Sequence, residues 1–308
     1  MISTYTHDGL TWIDIESPTL DEVTPLIKSH KIHPIVSNEI LSTTFHSKVD
    51  YYKNYVYLVL HFPMISGQNR SSNGNDPTDE IDFIIGKNFL ITTHFGRIPA
   101  IDIFRKSLEA CSVLERGCGF DHAGALFFYL LRELYKEVEA HLAITNRHLK
   151  IAEENIFNGK EGEMVTTISE INRQLLDFKE VTRFHKEVLE SFQNESKSLF
   201  GKEFGLYTES LLSDYYKIWN IIENQKETVL DLRETNDSLL TSKTNRSVKV
   251  LTAITAILLP AALVVDVFGI NSKFIPFANS QNEFPIVVSF MILSAVLTYL
   301  ILRKYDLI

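Results

Sequence analysis

The chain has 308 residues, enough for two or three modules, with 22% charged residues and a formal net charge of −9. An acidic balance argues against nucleic acid as a partner, because phosphates demand a basic face. No G-x-x-x-x-G-K-[ST] nucleotide cradle occurs, which argues against a pump driven by nucleotide, and neither HExxH nor a nucleophile motif supports an enzyme.

Met1–Leu20 carries Asp8, Asp14 and Glu16 and lacks the basic start and apolar run of a secretory signal, so the N-terminus is expected in the cytosol. Short β-branched and aromatic runs follow. Leu10–Ile15, Tyr51–Phe62, Ile81–Ile85 and Phe89–His94 read as strands. Tyr55–Leu60 is nearly all apolar, as in a strand covered on both faces. Leu20–His30 and Ile35–Leu41 have helical spacing, with Ser17-Pro18 marking a helix start. Ser66–Thr78, rich in Ser, Asn and Gly, reads as a loop. Residues 1–120 are therefore expected to form an α/β domain. Cys111 and Cys118 fit a reducing compartment and need no disulfide.

From Asp121 the pattern is helical. Ala123–Phe157 and Val165–Phe200 repeat apolar residues at three and four, separated by Asn158-Gly159-Lys160-Glu161-Gly162. Glu137, His141 and His148 share one helix face and read as ordinary surface or core residues. After Gly205 there is no glycine or proline until Pro260, and no glycine until Gly269. A helix from about Leu206 to Phe268 would cover roughly 95 Å at 1.5 Å per residue. Residues 121–247 are expected to be a helical stalk. Its acidic residues Glu209, Asp214, Glu223 and Asp231 read either as a cation site or as a solvated helix face.

Residues 248–308 carry two apolar spans, about 250–268 and 285–302, each close to the length that crosses a bilayer. Lys243, Arg246 and Lys249 precede the first and Arg303 and Lys304 follow the second, whereas the connecting loop holds only Lys273 with Glu283. Basic residues stay on the cytoplasmic side, so both termini are expected there, in a multi-pass protein of the inner or plasma membrane. With those five basic residues outside the body (Arg246, Lys249, Lys273, Arg303, Lys304) and three acidic ones (Asp266, Glu283, Asp306) set aside from totals of 30 and 39, residues 1–245 hold 25 Lys/Arg against 36 Asp/Glu, net −11. Such a field suits cations, though ordinary solubility accounts for it equally.

The first span has a patterned face. Asn245, Val248, Leu251 or Thr252, Thr255, Leu259, Ala262 and Asp266 recur at three and four residues, with polar groups near both ends. Such a stripe either packs helices together or, with several copies around an axis, lines a pore of polar rings and apolar constrictions. Asp266 inside a span costs about 2.5–3.5 kcal/mol on insertion scales, so it faces water or a cation path, or reaches the interface from the outer turn.

Asn245-Arg-Ser-Val-Lys249-Val-Leu251-Thr, Leu259-Pro260 and Phe268-Gly269-Ile270-Asn271 resemble the CorA family of divalent-cation channels, whose hallmark is Tyr-Gly-Met-Asn. Trp12-Ile13-Asp14, His33-Pro34, Glu39-Ile40, Lys48-Val49-Asp50-Tyr-Tyr52 and Gly86-Lys-Asn88-Phe89-Leu90-Ile-Thr92 extend the likeness through the N-terminal domain. The resemblance implies a CorA-like funnel: an α/β domain, long stalk helices and a two-helix transmembrane C-terminus, assembled as a homopentamer in the lipid bilayer. It implies no cofactor and no nucleotide, only transported Mg²⁺, Co²⁺ (or Ni²⁺) or Zn²⁺. Gly269, Ile270 and Asn271 match the selectivity motif, Asn245 the cytosolic polar ring, Leu251 a pore-narrowing leucine, and Leu259 a position where Met is common. Asn271, and Asp266 where small residues are common, are the residues that would meet the hydrated ion. Phe268 replaces the motif's Tyr and Ile270 its Met; Ile at that place is similar to the ZntB-type zinc branch and also to some Mg²⁺/Co²⁺ members, so Mg²⁺ uptake and Zn²⁺ transport linked to protons both stay open. A membrane-anchored sensor would use the rod but gives the stripe no role.

Overall fold

A computed structural model describes residues 1–63, 78–113, 120–269 and 283–305. The expected loop Ser66–Thr78, apart from its last residue, thus falls outside the described residues, as do Cys118, Ile270 and Asn271. Two compact units emerge: Met1–Asn158 with Glu163–Leu232, and Gly159–Gly162 with Arg233–Ile308.

The first unit is built on a six-stranded sheet. Its strands are β1 (Ile2–His7), β2 (Leu10–Glu16), β3 (Lys48–Tyr51), β4 (Tyr55–Pro63), β5 (Thr78–Gly86) and β6 (Phe89–His94). Their spatial order is β1-β2-β6-β5-β4-β3, with β2 and β6 parallel and every other pair antiparallel. β1 was not among the expected strands, because half of its residues face solvent and the run is short. It is fixed by the turn at Asp8-Gly9, both with positive φ (51° and 79°), which sets His7 opposite Leu10. All nine residues of β4 are buried, as its apolar run requires.

The expected strand Tyr51–Phe62 is two strands. Tyr52 N–H donates to the Tyr55 carbonyl at 3.0 Å, and the polar Lys53-Asn54 pair turns the chain between β3 and β4. The two short helices, α1 (Leu20–His30) and α2 (Pro34–Glu39), lie on one face of the sheet, where Val23, Ile32, Val36 and Ile40 pack with Ile13, Ile15, Tyr57 and Ile91. α1 starts two residues after Pro18, where Thr19 N–H and hydroxyl both donate to the Glu22 carboxylate (3.2 and 3.0 Å).

The other face receives α3 (Pro99–Val113), α4 (Ala123–Phe157) and α6 (His185–Phe200). Phe127 of α4 makes edge contacts with Phe83 on β5 and Phe192 on α6 at 5.2 Å each, and Phe104 of α3 meets Trp12 at 5.2 Å. α3 was not foreseen, although Pro99 stands at its first position as a helix start prefers.

The expected helix Val165–Phe200 is also two: α5 (Glu161–Thr182) and α6, separated at Arg183-Phe184. No glycine or proline marks the break. Tertiary bonding makes it. His185 is fully buried, donates from Nε2 to the His61 carbonyl at 2.7 Å and accepts on Nδ1 from Tyr135 hydroxyl at 3.0 Å. Thr182 turns its hydroxyl back to the Phe178 carbonyl, 2.8 Å away. Helix α7 (Phe204–Gly269) follows α6, and α8 (Glu283–Lys304) ends the described chain.

Two buried carboxylates cross-link the sheet, and one of them, Asp14, also ties it to α3 through Arg105. Burial pushes Asp14 up, but hydrogen bonds and charge from His94, with Thr92 and Arg105, outweigh it and hold its pKa below the ordinary value. Asp82 takes the opposite course. Burial with nearby Glu80 raises it well above the usual range, and Thr93 hydroxyl (2.9 Å) and Tyr57 hydroxyl (3.3 Å) contact it.

Burial pushes the His185 imidazole down to about 4, against the opposing pull of the His61 carbonyl. Its folded pKa thus lies below the unfolded value near 6.5, so the unfolded chain binds a proton that the folded chain refuses. Stability from this group is complete above pH 6.5 and is lost as pH falls toward 4. Between pH 7 and 4.5 the stability advantage of the wild type over His185→Gln should shrink by about 2 kcal/mol in denaturant titrations. An advantage that stays constant would contradict a neutral buried His185.

Candidate functional site: the patterned face of the long helix

α7 and α8 are the two helices of the described chain long and apolar enough to cross a membrane. Leu251, Leu258 and Leu259 on α7 and Leu293 and Leu297 on α8 are each more than half exposed. Apolar surface on that scale needs lipid or protein around it. Four hydroxyls inside the spans return to their own backbone. Thr255 donates to Leu251 (2.9 Å), Ser289 to Pro285 (2.7 Å), Ser294 to Met291 (2.8 Å) and Thr298 to Ser294 (2.9 Å). Polar groups in hydrocarbon must be satisfied within the segment, and these are.

α7 stays helical through Pro260. Proline lacks the amide proton, so the Ala256 carbonyl four residues back loses its helical donor. The phenyl rings of Phe268 and Phe290 lie 6.3 Å apart, which identifies the side of α7 that meets α8 near its end. At 3.6 residues per turn, buried Ala253 and Ala261 and half-buried Val264 share that side. Leu251, Thr255, Leu259, Ala262 and Asp266 fall on the opposite side, and all five are exposed. Asn245, further toward the body, is exposed as well.

Asp266 is the only charged residue from Val250 to Gly269, and among the described residues it makes neither an ion pair nor a side-chain hydrogen bond. Gly269 is the last residue of α7. Its φ is not positive, and an added Cβ would meet nothing within 4 Å. A left-handed turn therefore does not account for glycine here, and neither does crowding within the chain.

At the other end, a connection not foreseen from the sequence joins α7 to the turn between α4 and α5. Lys243 Nζ donates to the Glu161 carboxylate and, at 3.2 Å, to the Gly159 carbonyl. The Glu161 side chain is only 6% exposed, so its charge needs this partner. Hydrogen bonding to Lys243 holds its pKa below the ordinary value. Gly159, with φ +88°, supplies a backbone conformation that other residues rarely adopt. The signal in the sequence was the Asn-Gly-Lys-Glu-Gly break, but nothing local paired it with a lysine more than eighty residues on.

The acidic stalk residues do not converge on a cation. Asp214 pairs with Arg132 (3.3 Å) and Glu223 with Lys179 (2.6 Å), and no group of three or more His, Cys, Asp or Glu able to hold a metal occurs among the described residues. Glu137 accepts from Ala100 N–H at 2.9 Å at the start of α3, and His141 Nδ1 contacts the Glu137 carbonyl. These are structural contacts.

The description "CorA-like Mg2+ transporter protein" belongs to the family whose sequence pattern matches residues 7–304. The chain belongs to the CorA-like family. It is 23% identical over 295 residues to the cobalt/magnesium transport protein CorA of Thermotoga maritima, covering 96% of this chain and 82% of that one. The complete CorA magnesium transporter structure from Methanocaldococcus jannaschii superposes with a TM-score of 0.82 at 21% identity, over 97% of this chain and 92% of the other. The cytoplasmic domain of ZntB from Vibrio parahaemolyticus matches at a TM-score of 0.53 and 14% identity, over 77% of this chain and 88% of that one. The CorA fold thus extends over both apolar helices.

Removing the Lys243 ammonium leaves the Glu161 carboxylate without an ion-pair partner among the described residues. Lys243→Met should raise amide hydrogen exchange at Gly159–Gly162 several-fold while exchange in β4 and β5 is unchanged. Equal exchange at the turn in the two proteins would show that the contact carries no stability.

Proposed function

We propose that this CorA-family chain forms a homopentameric divalent-cation channel of the inner or plasma membrane, with both termini in the cytoplasm and Mg²⁺ uptake, with Co²⁺ or Ni²⁺, as its activity. The observation that carries this reading is the exposed stripe Leu251–Thr255–Leu259–Ala262–Asp266, on the side of α7 away from α8. Five copies of such a face around an axis make a pore, with α8 outside against lipid. The family match supports transport, and the names of the relatives support Mg²⁺ and Co²⁺. In this reading residues 1–120 are a cytosolic α/β domain, 121–247 the stalk and 248–308 the transmembrane hairpin.

The chemistry follows from ion hydration. Mg²⁺ dehydrates reluctantly. A ring of Asn271 side-chain carbonyls accepts hydrogen bonds from its bound waters and passes the ion hydrated. Gly269 and Ile270 set the approach of that ring, and glycine leaves room for a neighbouring copy. Asp266, one turn inward, adds five carboxylates that raise the local cation concentration. Leu251 and Leu259 form apolar constrictions that close the path by dewetting. In this reading Asn245 lines the cytosolic mouth two residues beyond Lys243, and the α4–α5 turn, which Lys243 contacts, stands beside the inner gate.

Zn²⁺ transport linked to protons is the second reading. It is favoured by the Asp266 carboxylate, unpaired among the described residues, together with Ile270 in the motif. A membrane-anchored sensor would leave the stripe without a role.

Asn271→Ala should abolish Mg²⁺ flux into proteoliposomes while the detergent complex keeps the mass of five chains; full flux would contradict the pore assignment. Asp266→Gly should change the ratio of Mg²⁺, Co²⁺ and Zn²⁺ fluxes. Ratios identical to wild type would confine Asp266 to the membrane interface.

A further inference from the structure

A cavity of about 310 Å³ lies within the first unit, between the β1–β2 hairpin, the second half of α3 and the start of α4. It has no part in the ion pathway. Its walls include Tyr5, His7, Trp12, Glu109, Phe120 and Leu126. The size is at the small end of ligand pockets.

The chemistry of these walls is selective. Tyr5 stacks on Trp12 with ring centroids 5.3 Å apart, and Phe120 sits edge-on to Tyr129 at 5.3 Å, so both half-buried rings are held in place from behind. Glu109 is exposed and makes neither an ion pair nor a side-chain hydrogen bond among the described residues. His7 Nε2 is shielded from solvent without a hydrogen-bond partner, 3.2 Å from the Asp8 carboxylate. No lysine or arginine is among the described residues lining the cavity.

An anion would meet Glu109 with no compensating positive charge among the described lining residues. A bare or hydrated divalent metal finds too few oxygen ligands, since no group of three or more His, Cys, Asp or Glu occurs among the described residues. A neutral apolar molecule would leave the Glu109 carboxylate unanswered. An organic cation suits the carboxylate, the apolar wall and the aromatic rings together. Its charge pairs with Glu109, its body packs on Leu126, and its positive end meets the negative faces of Tyr5 and Phe120. We propose that this cavity binds a small organic cation, an amine or guanidinium, in the cytosolic domain.

The test uses fluorine NMR on the full-length protein in detergent, at pH 7.5, with 4-fluorobenzylammonium as probe, 4-fluorobenzyl alcohol as the neutral isostere, and empty micelles as the baseline for partitioning. The proposal predicts saturable line broadening by the ammonium above that baseline and much weaker broadening by the alcohol. Glu109→Gln, at an exposed helix position, should raise the Kd about tenfold, and Tyr5→Leu should weaken binding in the same direction. Agmatine, a guanidinium probe, should compete. No saturable binding of the ammonium would overturn the proposal. So would equal binding of the alcohol, or a Kd unchanged by Glu109→Gln.

Discussion

The constraint behind the second unit is that backbone inside hydrocarbon must satisfy its own hydrogen bonds. α7 meets it by staying helical from Phe204 to Gly269, with no glycine between Gly205 and Gly269 and Pro260 as its one proline. That proline removes one donor, and four hydroxyls of the spans turn back onto carbonyls rather than competing for partners. Once the backbone is closed in this way, side chains alone give α7 a polar character. The unpaired carboxylate of Asp266 is then conspicuous, because the described chain offers it nothing.

Elsewhere the same economy of polar groups builds the first unit. Among the described residues, Arg132–Asp214, Lys217–Glu139 and Lys179–Glu223 tie α7 to α4 and α5 across the first unit. These pairs are partly exposed, so each contributes little stability on its own and mainly fixes alignment. The buried groups weigh more. Asp14, Asp82 and His185 each have partners from different elements, and leaving any one of them unpaired costs more than an exposed pair contributes.

Much of this arrangement was legible in the sequence, where local rules and burial agree. Helices α1 and α4 begin and end where their periodicity does, and β4 reads as a covered strand because Tyr55–Leu60 is apolar on both faces. The failures share a cause. The break between α5 and α6 has no local signal, since it falls beside His185, whose partners lie on β4 and α4 far away in sequence. β1 escaped because an edge strand buries only one face, and α3 because its apolar spacing is diluted by charge. For the candidate site, the stripe from Leu251 to Asp266 was visible as spacing. Which side of α7 meets α8 was not, because that depends on Phe268 reaching Phe290. The Lys243–Glu161 contact was likewise invisible, being set by the return of α7 past the α4–α5 turn.

The central claim is that the stripe on α7 faces an aqueous ion path while the side toward α8 does not. Single cysteines report this directly. With Cys111 and Cys118 replaced by serine, Ala262→Cys and Val264→Cys are placed on opposite sides of the helix, and Mg²⁺ flux is followed as a charged thiol reagent is added. The account predicts rapid block at 262 and none at 264. Block at neither position, or equal block at both, would contradict it.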